Sequence, residues 1–173
     1  MSVPLLIGRF QPFHKGHLHA VKYILNRHNE LLIGIGSAFE SHTMRNPFTV
    51  GERIQMIKIG LKEANIPCNK YMIIPIPDTE IHYSWVSIVK MLSPPFDIVY
   101  SNDPLTRTLF TEAQVKVYPI PFLKRDIYSG EEFRRRVIEN RNWREIVQES
   151  VASFLINNGL IERIIELSKS DKP

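Results

Sequence analysis

Ten consecutive residues, Gly8-Arg9-Phe10-Gln11-Pro12-Phe13-His14-Lys15-Gly16-His17, put two imidazoles, two cations and two glycines side by side. A short apolar run, Val3 to Ile7, precedes them, and an apolar-periodic segment begins at Leu18. That pattern is strand, loop, helix. His14 and His17, three residues apart, then stand where a helix starts. A helix start carries free backbone N–H groups and the positive end of the helix dipole, so it attracts phosphate. Gly16 lets the backbone come close to an anion, and Arg9 and Lys15 add positive charge. The chemistry this favours is binding of a nucleotide phosphate. Two other readings of the pair are a metal site and ordinary polar residues at a helix start. The metal reading lacks an evident third ligand, because Cys68 is the only cysteine and His42 belongs to another loop.

Three further segments carry chemistry. Gly34-Ile35-Gly36-Ser37-Ala38-Phe39 and the residues on to Thr49 form a long polar loop after a second apolar run. A loop of that length in a compact α/β domain is commonly functional. Arg45 in it is suited to clamping phosphates, against the plainer role of a solvated surface charge. In Pro75 to Trp85, the tryptophan opens a helix beside an acidic loop with Asp78 and Glu80. Such a tryptophan either stacks on a flat base or packs into the core. In Asp126 to Arg134, Ser129 reads as an N-cap that exposes helix-start amides to a phosphate. Arg134 lies just over one turn further on and can reach the same anion. A solvated Arg134-Arg135-Arg136 face accounts for Arg135 and Arg136.

Alternating strands and helices must hold these segments. Strands are expected at Val3–Gly8, Glu30–Gly36, Tyr71–Ile76, Asp97–Ser101 and Val115–Pro119. The first helix carries Leu18, Val21, Ile24 and Leu25 on one side. The second opens with a capping box at Thr49-Val50-Gly51-Glu52 and is ended by Asn65 and Pro67. A third covers Trp85 to Leu92, and a fourth starts at Asp103-Pro104. A fifth opens with a second capping box, Ser129-Gly130-Glu131-Glu132. Trp143 to Lys169 reads as two helices broken at Asn158-Gly159, and Ser170 to Pro173 are expected to fray. The implied fold class is α/β: a Rossmann-like doubly wound parallel sheet of about five strands, with flanking helices and a C-terminal helical tail. Ligands of such sheets bind outside the carboxyl ends of the strands. The loops after Gly8, Gly36, Ile76 and Ser101 are therefore expected on one rim. No G-x-G-x-x-G follows the first strand, which argues against an ordinary dinucleotide dehydrogenase.

At 173 residues the chain fits one domain, with a strand-helix core over about 1–128 and the second motif and terminal helices over about 129–169. A net charge of +4 suits anionic ligands, and the basic residues are dispersed apart from Arg134-Arg135-Arg136, with no aromatic-basic interleaving of a single-strand binder. Nucleic acid is thus not an expected partner. One cysteine permits no internal disulfide, so a reducing cytoplasm is expected. Apolar runs fall far short of the ~18 residues of a membrane span, so no membrane partner is expected.

His14-Lys15-Gly16-His17 matches the HxGH signature of the nucleotidyltransferase superfamily. The longer block GRFQPFHKGH resembles the archaeal type of nicotinamide-mononucleotide (NMN) adenylyltransferase, as do GIGSA, ESHT, RNPFT and GER in and after the second loop. Asp126 to Arg134 resembles the superfamily's second motif, ISGTxIR, with Glu131 in place of the threonine and Phe133 in place of an aliphatic residue. The resemblance runs to about Ile165. It implies an enzyme that joins NMN to the AMP part of ATP, giving NAD and pyrophosphate. It implies that Gly8, Arg9, Phe10, His14, Gly16, His17, Arg45, Ser129 and Arg134 bind ATP. Of these, His14, His17, Arg45 and Arg134 are the expected catalytic residues. It further implies that the backbone around Ser37-Ala38-Phe39 borders the NMN site, that Asp78 bonds NMN and that Trp85 stacks on nicotinamide. Mg²⁺ or another divalent cation would come with ATP, held by phosphates and water rather than a protein-built cage. A homo-oligomer, possibly a hexamer in the family pattern, is implied as well. Two alternatives stand beside this. One is a sister nucleotidyltransferase with another acceptor, such as phosphopantetheine, or one using CTP. The other is a non-catalytic nucleotide- or nucleic-acid-binding module.

Overall fold

The structure, a computed structural model, describes residues 3–170. In chain order the elements are β1 (Leu5–Gly8), α1 (Lys15–Leu25), β2 (Leu31–Ile35), α2 (Val50–Glu63), β3 (Tyr71–Pro75), α3 (His82–Leu92), β4 (Ile98–Tyr100), α4 (Pro104–Glu112), β5 (Lys116–Tyr118), α5 (Gly130–Ile138), α6 (Glu149–Asn157) and α7 (Leu160–Ser170). Short 3-10 turns lie at Cys68–Lys70 and Arg144–Ile146. None of these helices is long and apolar enough to cross a membrane.

The residues form two compact units. The first comprises the chain up to Arg9, Ala20–Phe39 and Pro67–Pro121. It holds the whole sheet, parallel throughout, in the order β3-β2-β1-β4-β5. Strand order reverses beside β1, which makes this the doubly wound sheet expected from the alternating pattern. Leu5, Leu32, Ile74, Ile76, Val86, Val89, Val99 and Phe110 form its buried core. Strand β2 is buried along its whole length, as the middle of a parallel sheet covered by helices requires, while the edge strands β3 and β5 are partly exposed.

The strands are shorter than the apolar runs by one or two residues at most ends. The flanking residues still bond without continuing the ladder: Gly36 N–H donates to the Gly8 carbonyl at 2.9 Å and Ile76 N–H to that of Ile35 at 2.8 Å. Helix α3 begins at His82, three residues before Trp85, where a start was expected. Its N-cap residue is Ile81, which makes no side-chain cap, so nothing in the residue types marks that start.

The second unit comprises Phe10–His19, Glu40–Ile66 and, among the described residues, 122–170. Here α2 packs on α6, and α7 packs on both α5 and α6. The Thr49–Glu52 capping box at the head of α2 forms in both directions. Arg163 of α7 grips the same Glu52 with two bonds, at 2.7 and 2.8 Å. The tail departs from two plain helices, because the 3-10 turn at Arg144–Ile146 delays α6 to Glu149. The break at Asn158-Gly159 forms as expected, with Gly159 at φ +66°. Helix α7 runs to Ser170, and the rest of the stretch expected to fray lies outside the described residues.

Candidate active site

The second unit holds the paired histidines. His14 is the residue just before α1 and His17 is the third residue of that helix. His17 N–H donates to Nδ1 of His14 at 3.3 Å, and His14 N–H donates to Nδ1 of His17 at 3.3 Å. This is a capping box with imidazole at both positions, where serine or threonine and glutamate are usual. The rings stack with centroids 3.6 Å apart. Because each Nδ1 accepts, the proton of each neutral ring sits on Nε2. The pair therefore sets two imidazole N–H groups at a helix start, where the ring of His17 also faces the Pro12 carbonyl and that of His14 its own.

Gly16 is closely packed there, so a side chain would make its neighbours give by a few tenths of an ångström. A Cβ on it would lie 3.0 Å from the His14 ring and 3.1 Å from the Tyr128 carbonyl. Phe10 and Phe13 are fully buried and their rings lie 4.6 and 5.9 Å from that of His17. Phe10 adopts φ 52°. For a bulky residue that is a costly backbone state, of the kind that clusters at functional sites.

Burial pushes His14 down to about 3 from an ordinary 6.5. Burial, and then the adjoining His14, hold His17 well below the usual histidine value. Both rings are neutral near pH 7. The unfolded chain takes up protons near 6.5, so stability contributed by the neutral pair falls as pH drops below that value. The slope is about 1.4 kcal/mol per pH unit for each such group. In His14→Asn, the asparagine keeps a capping oxygen and cannot titrate. The melting temperature of the wild type should therefore fall more steeply from pH 6.5 to 4.5 than that of His14→Asn. Equal slopes would remove His14 as the cause.

Lys15, next to His14, directs its side chain to a backbone carbonyl. Its Nζ donates to the Glu145 carbonyl at 2.8 Å. Gln11, a residue to which the sequence attached no role, is buried and bonded at both ends of its amide. Nε2 donates to the Phe48 carbonyl at 3.0 Å and Oε1 accepts from Phe48 N–H at 2.9 Å. The signal was present in hindsight as a lone uncharged polar residue among Phe10, Pro12 and Phe13.

Ser129 caps α5 by accepting from Glu132 N–H at 3.1 Å. The expected capping box is only half made, because the Glu132 carboxylate turns to Arg135 and Arg136 instead. A Cβ on Gly130 would meet the Gln11 carbonyl at 2.7 Å, and Arg134 donates to that same carbonyl at 3.0 Å. Arg134, Arg135, Glu131 and Arg45 line one concavity of about 410 Å³, with Met44, Ile138 and Glu139. The structure thus brings Arg45 and Arg134 together, and Glu131 faces the same space.

Arg136 corrects the expectation of a solvated face. It is buried, and bonds Glu132 at 2.7 Å, Glu145 at 2.8 Å and the Asn142 carbonyl at 2.8 Å. The bond from Arg136, followed by that from Arg135, holds the Glu132 carboxyl below the usual carboxylate range.

The first unit holds the other expected residues. Gly8 ends β1 and Arg9 follows it. Ser37, at φ 48°, Ala38 and Phe39 follow β2. Ala38 N–H donates to the Ile76 carbonyl at 3.0 Å, tying this loop to the one after β3. Asp78 is exposed in that loop. Trp85 is half-buried, donates from Nε1 to the Pro77 carbonyl at 3.1 Å and meets the Phe110 ring edge-on at 5.9 Å. It combines a core contact with a partly open ring. Among the described residues no group of three His, Cys, Asp or Glu side chains stands close enough to hold a metal ion.

Comparison with known proteins places this geometry. Residues 5–136 match the family model described as cytidylyltransferase-like. The nicotinamide-nucleotide adenylyltransferase of Methanococcus aeolicus is 46% identical over 96% of this chain and 95% of its own. Nicotinamide-nucleotide adenylyltransferase 1 of Sulfolobus acidocaldarius is 44% identical over 96% of each. Among solved structures, a bifunctional NMN adenylyltransferase/ADP ribose pyrophosphatase from Francisella tularensis, complexed with AMP and a manganese ion, superposes with a TM-score of 0.79 at 23% identity. That alignment covers 98% of this chain and 54% of the bifunctional one. On the family match and on identity across nearly the full length, this chain belongs to the nicotinamide-nucleotide adenylyltransferases within the cytidylyltransferase-like family.

Proposed function

We propose that the protein is an NMN adenylyltransferase that forms NAD and pyrophosphate from NMN and ATP. An oxygen of the NMN phosphate bonds the α-phosphorus of ATP, and the bond from that phosphorus to the oxygen bridging to the β-phosphate breaks. The pyrophosphate leaves with the bridging electron pair. The nucleophile is already an anion, so no side chain must activate it, and catalysis consists of positioning and charge stabilisation. The observation that carries this reading is the imidazole capping box, which stacks His14 and His17 at a helix start.

His14 and His17 bond the α-phosphate and bridging oxygens. Arg45 and Arg134, with Arg9, neutralise the β- and γ-phosphates and the leaving group, and Phe10, Gly8, Gly16 and Ser129 shape the ATP contacts. Ser37, Ala38, Phe39, Asp78 and Trp85 receive NMN. The divalent ion, Mg²⁺ in this reading, enters with ATP as part of the substrate and offsets phosphate charge. We take residues 1–173 as one nucleotidyltransferase domain that acts in the cytoplasm as a homo-oligomer, in line with the hexamer the resemblance implies, and on small nucleotides rather than nucleic acid.

The test is incubation with ATP, Mg²⁺ and NMN, followed by a coupled NAD assay. NAD should appear only when all three are present. Turnover of phosphopantetheine without NAD formation would move the acceptor to the sister class. Trp85→Ala should raise the KM for NMN by the equivalent of roughly 1–3 kcal/mol, by analogy with base stacking. ATP affinity should hardly change. An unchanged NMN affinity with a lowered melting temperature would leave Trp85 as core alone.

A further inference from the structure

We infer that Gln11 is a positioning residue that sets the phosphate-binding groups in register with one another. The inference rests on the adenylyltransferase reading. A buried primary amide needs partners for its donor and its acceptor. Gln11 finds both on one residue, the N–H and carbonyl of Phe48, as a neighbouring strand would. Phe48 is fully buried, three residues after Arg45 and one before the Thr49 cap of α2. The pairing therefore fixes the end of the loop that carries Arg45.

The main chain of the same residue does a second job. Its carbonyl accepts from Arg134 and sits where only a glycine at position 130 leaves room. The start of α5 is thus seated on Gln11. His14 follows three residues along the chain, at the head of α1. One residue consequently joins the segments bearing His14 and His17, Arg45, and Arg134. Arg45 and Arg134 line the same concavity, so a shift of Gln11 moves both. The Gln11 side chain is buried, with its nitrogen and its oxygen both bonded to Phe48. It acts through its neighbours.

Gln11→Met keeps the volume and removes both amide bonds. Gln11→Glu keeps the acceptor for Phe48 N–H and loses the donor. When its carboxyl is protonated it restores the amide's pattern. The measurements are steady-state NAD formation, calorimetric affinity for a non-reacting ATP analogue, and melting temperature. Gln11→Met is expected to lower kcat/KM for ATP on the order of 10–100-fold, as a displacement of about 1 Å would. The KM for NMN should stay near the wild-type value. Arg45→Ala should cost much less in the Gln11→Met background than alone, because the two residues act as one unit. The activity of Gln11→Glu relative to wild type should rise as pH is lowered.

A folded Gln11→Met enzyme with wild-type kcat/KM for ATP would overturn the inference. So would independent, multiplying effects of Gln11→Met and Arg45→Ala. If Gln11→Met does not fold, Gln11→Glu decides alone, and a pH-independent activity ratio rejects the role. If the wild type makes no NAD, the adenylyltransferase reading fails. The affinity of each variant for the ATP analogue then still decides the role of Gln11.

Discussion

His17→Ala should lower kcat by a factor on the order of 10²–10³, the usual consequence of deleting one donor to a developing oxyanion. The lost group is the Nε2–H fixed by acceptance at Nδ1. Two effects add in the variant. The donor to the reacting phosphate disappears, and His14 N–H loses its acceptor at the helix start. The second effect belongs to stability and is worth about 1 kcal/mol, a typical cap. The first belongs to the transition state and should appear in kcat at saturating ATP and NMN. The melting temperature should fall by only a few degrees. Near-normal turnover in a normally stable variant would take His17 out of the mechanism. A collapse of stability would instead show that the imidazole capping box serves the fold first.

The second large effect separates neighbours on α5. Arg136→Ala should destabilise the protein by about 3 kcal/mol, the lower end for breaking a buried ion pair. The lower end applies because Arg135 remains on Glu132 after the change. For a chain of this size that corresponds to a fall in melting temperature of roughly 6–12 °C. Below that temperature the KM for ATP should be close to wild type. Arg134→Ala should do the reverse, with a raised KM for ATP or a lowered kcat and a small change in melting temperature. Parallel thermal melts and ATP kinetics on the two variants settle the matter. An ATP defect in Arg136→Ala at full stability, with Arg134→Ala unaffected, would exchange the two roles.

The sheet was legible because its signal is local. Apolar runs such as Leu31–Ile35 and turn residues such as Asn65 and Pro67 announce themselves over a few positions, and the strand-helix alternation follows. The capping boxes were legible for the same reason, yet only that of Thr49 formed whole. At Ser129 the competing partners of Glu132 lie three and four residues further along α5, where two arginines outbid a backbone N–H. The same local reading placed Arg136 in solvent. Its burial depends on Glu145, nine residues away beyond a 3-10 turn that no residue type foretold.

The site divides in the same manner. His14, Gly16 and His17 could be read as a phosphate site from their spacing alone. That the histidines cap each other could not, since it depends on which ring nitrogen faces which N–H. Gln11 was missed because its partner, Phe48, is 37 residues away. A polar residue inside an apolar run says that a partner exists and leaves the partner unnamed. The partner of Lys15 was likewise unreadable, because a long side chain can turn towards any carbonyl within reach, and Glu145 supplied one.

The way the two imidazoles occupy each other also bears on coordination chemistry. A transition-metal ion needs a free lone pair on a ring nitrogen. Here each Nδ1 lone pair is already given to a backbone N–H, and each Nε2 carries the proton. For Zn²⁺ or Ni²⁺ to enter at Nε2, that proton must move to Nδ1 or leave the ring. Moving it to Nδ1 costs the helix its cap. Metal entry at this pair therefore competes with the helix cap, a cost of about 1 kcal/mol for each ring.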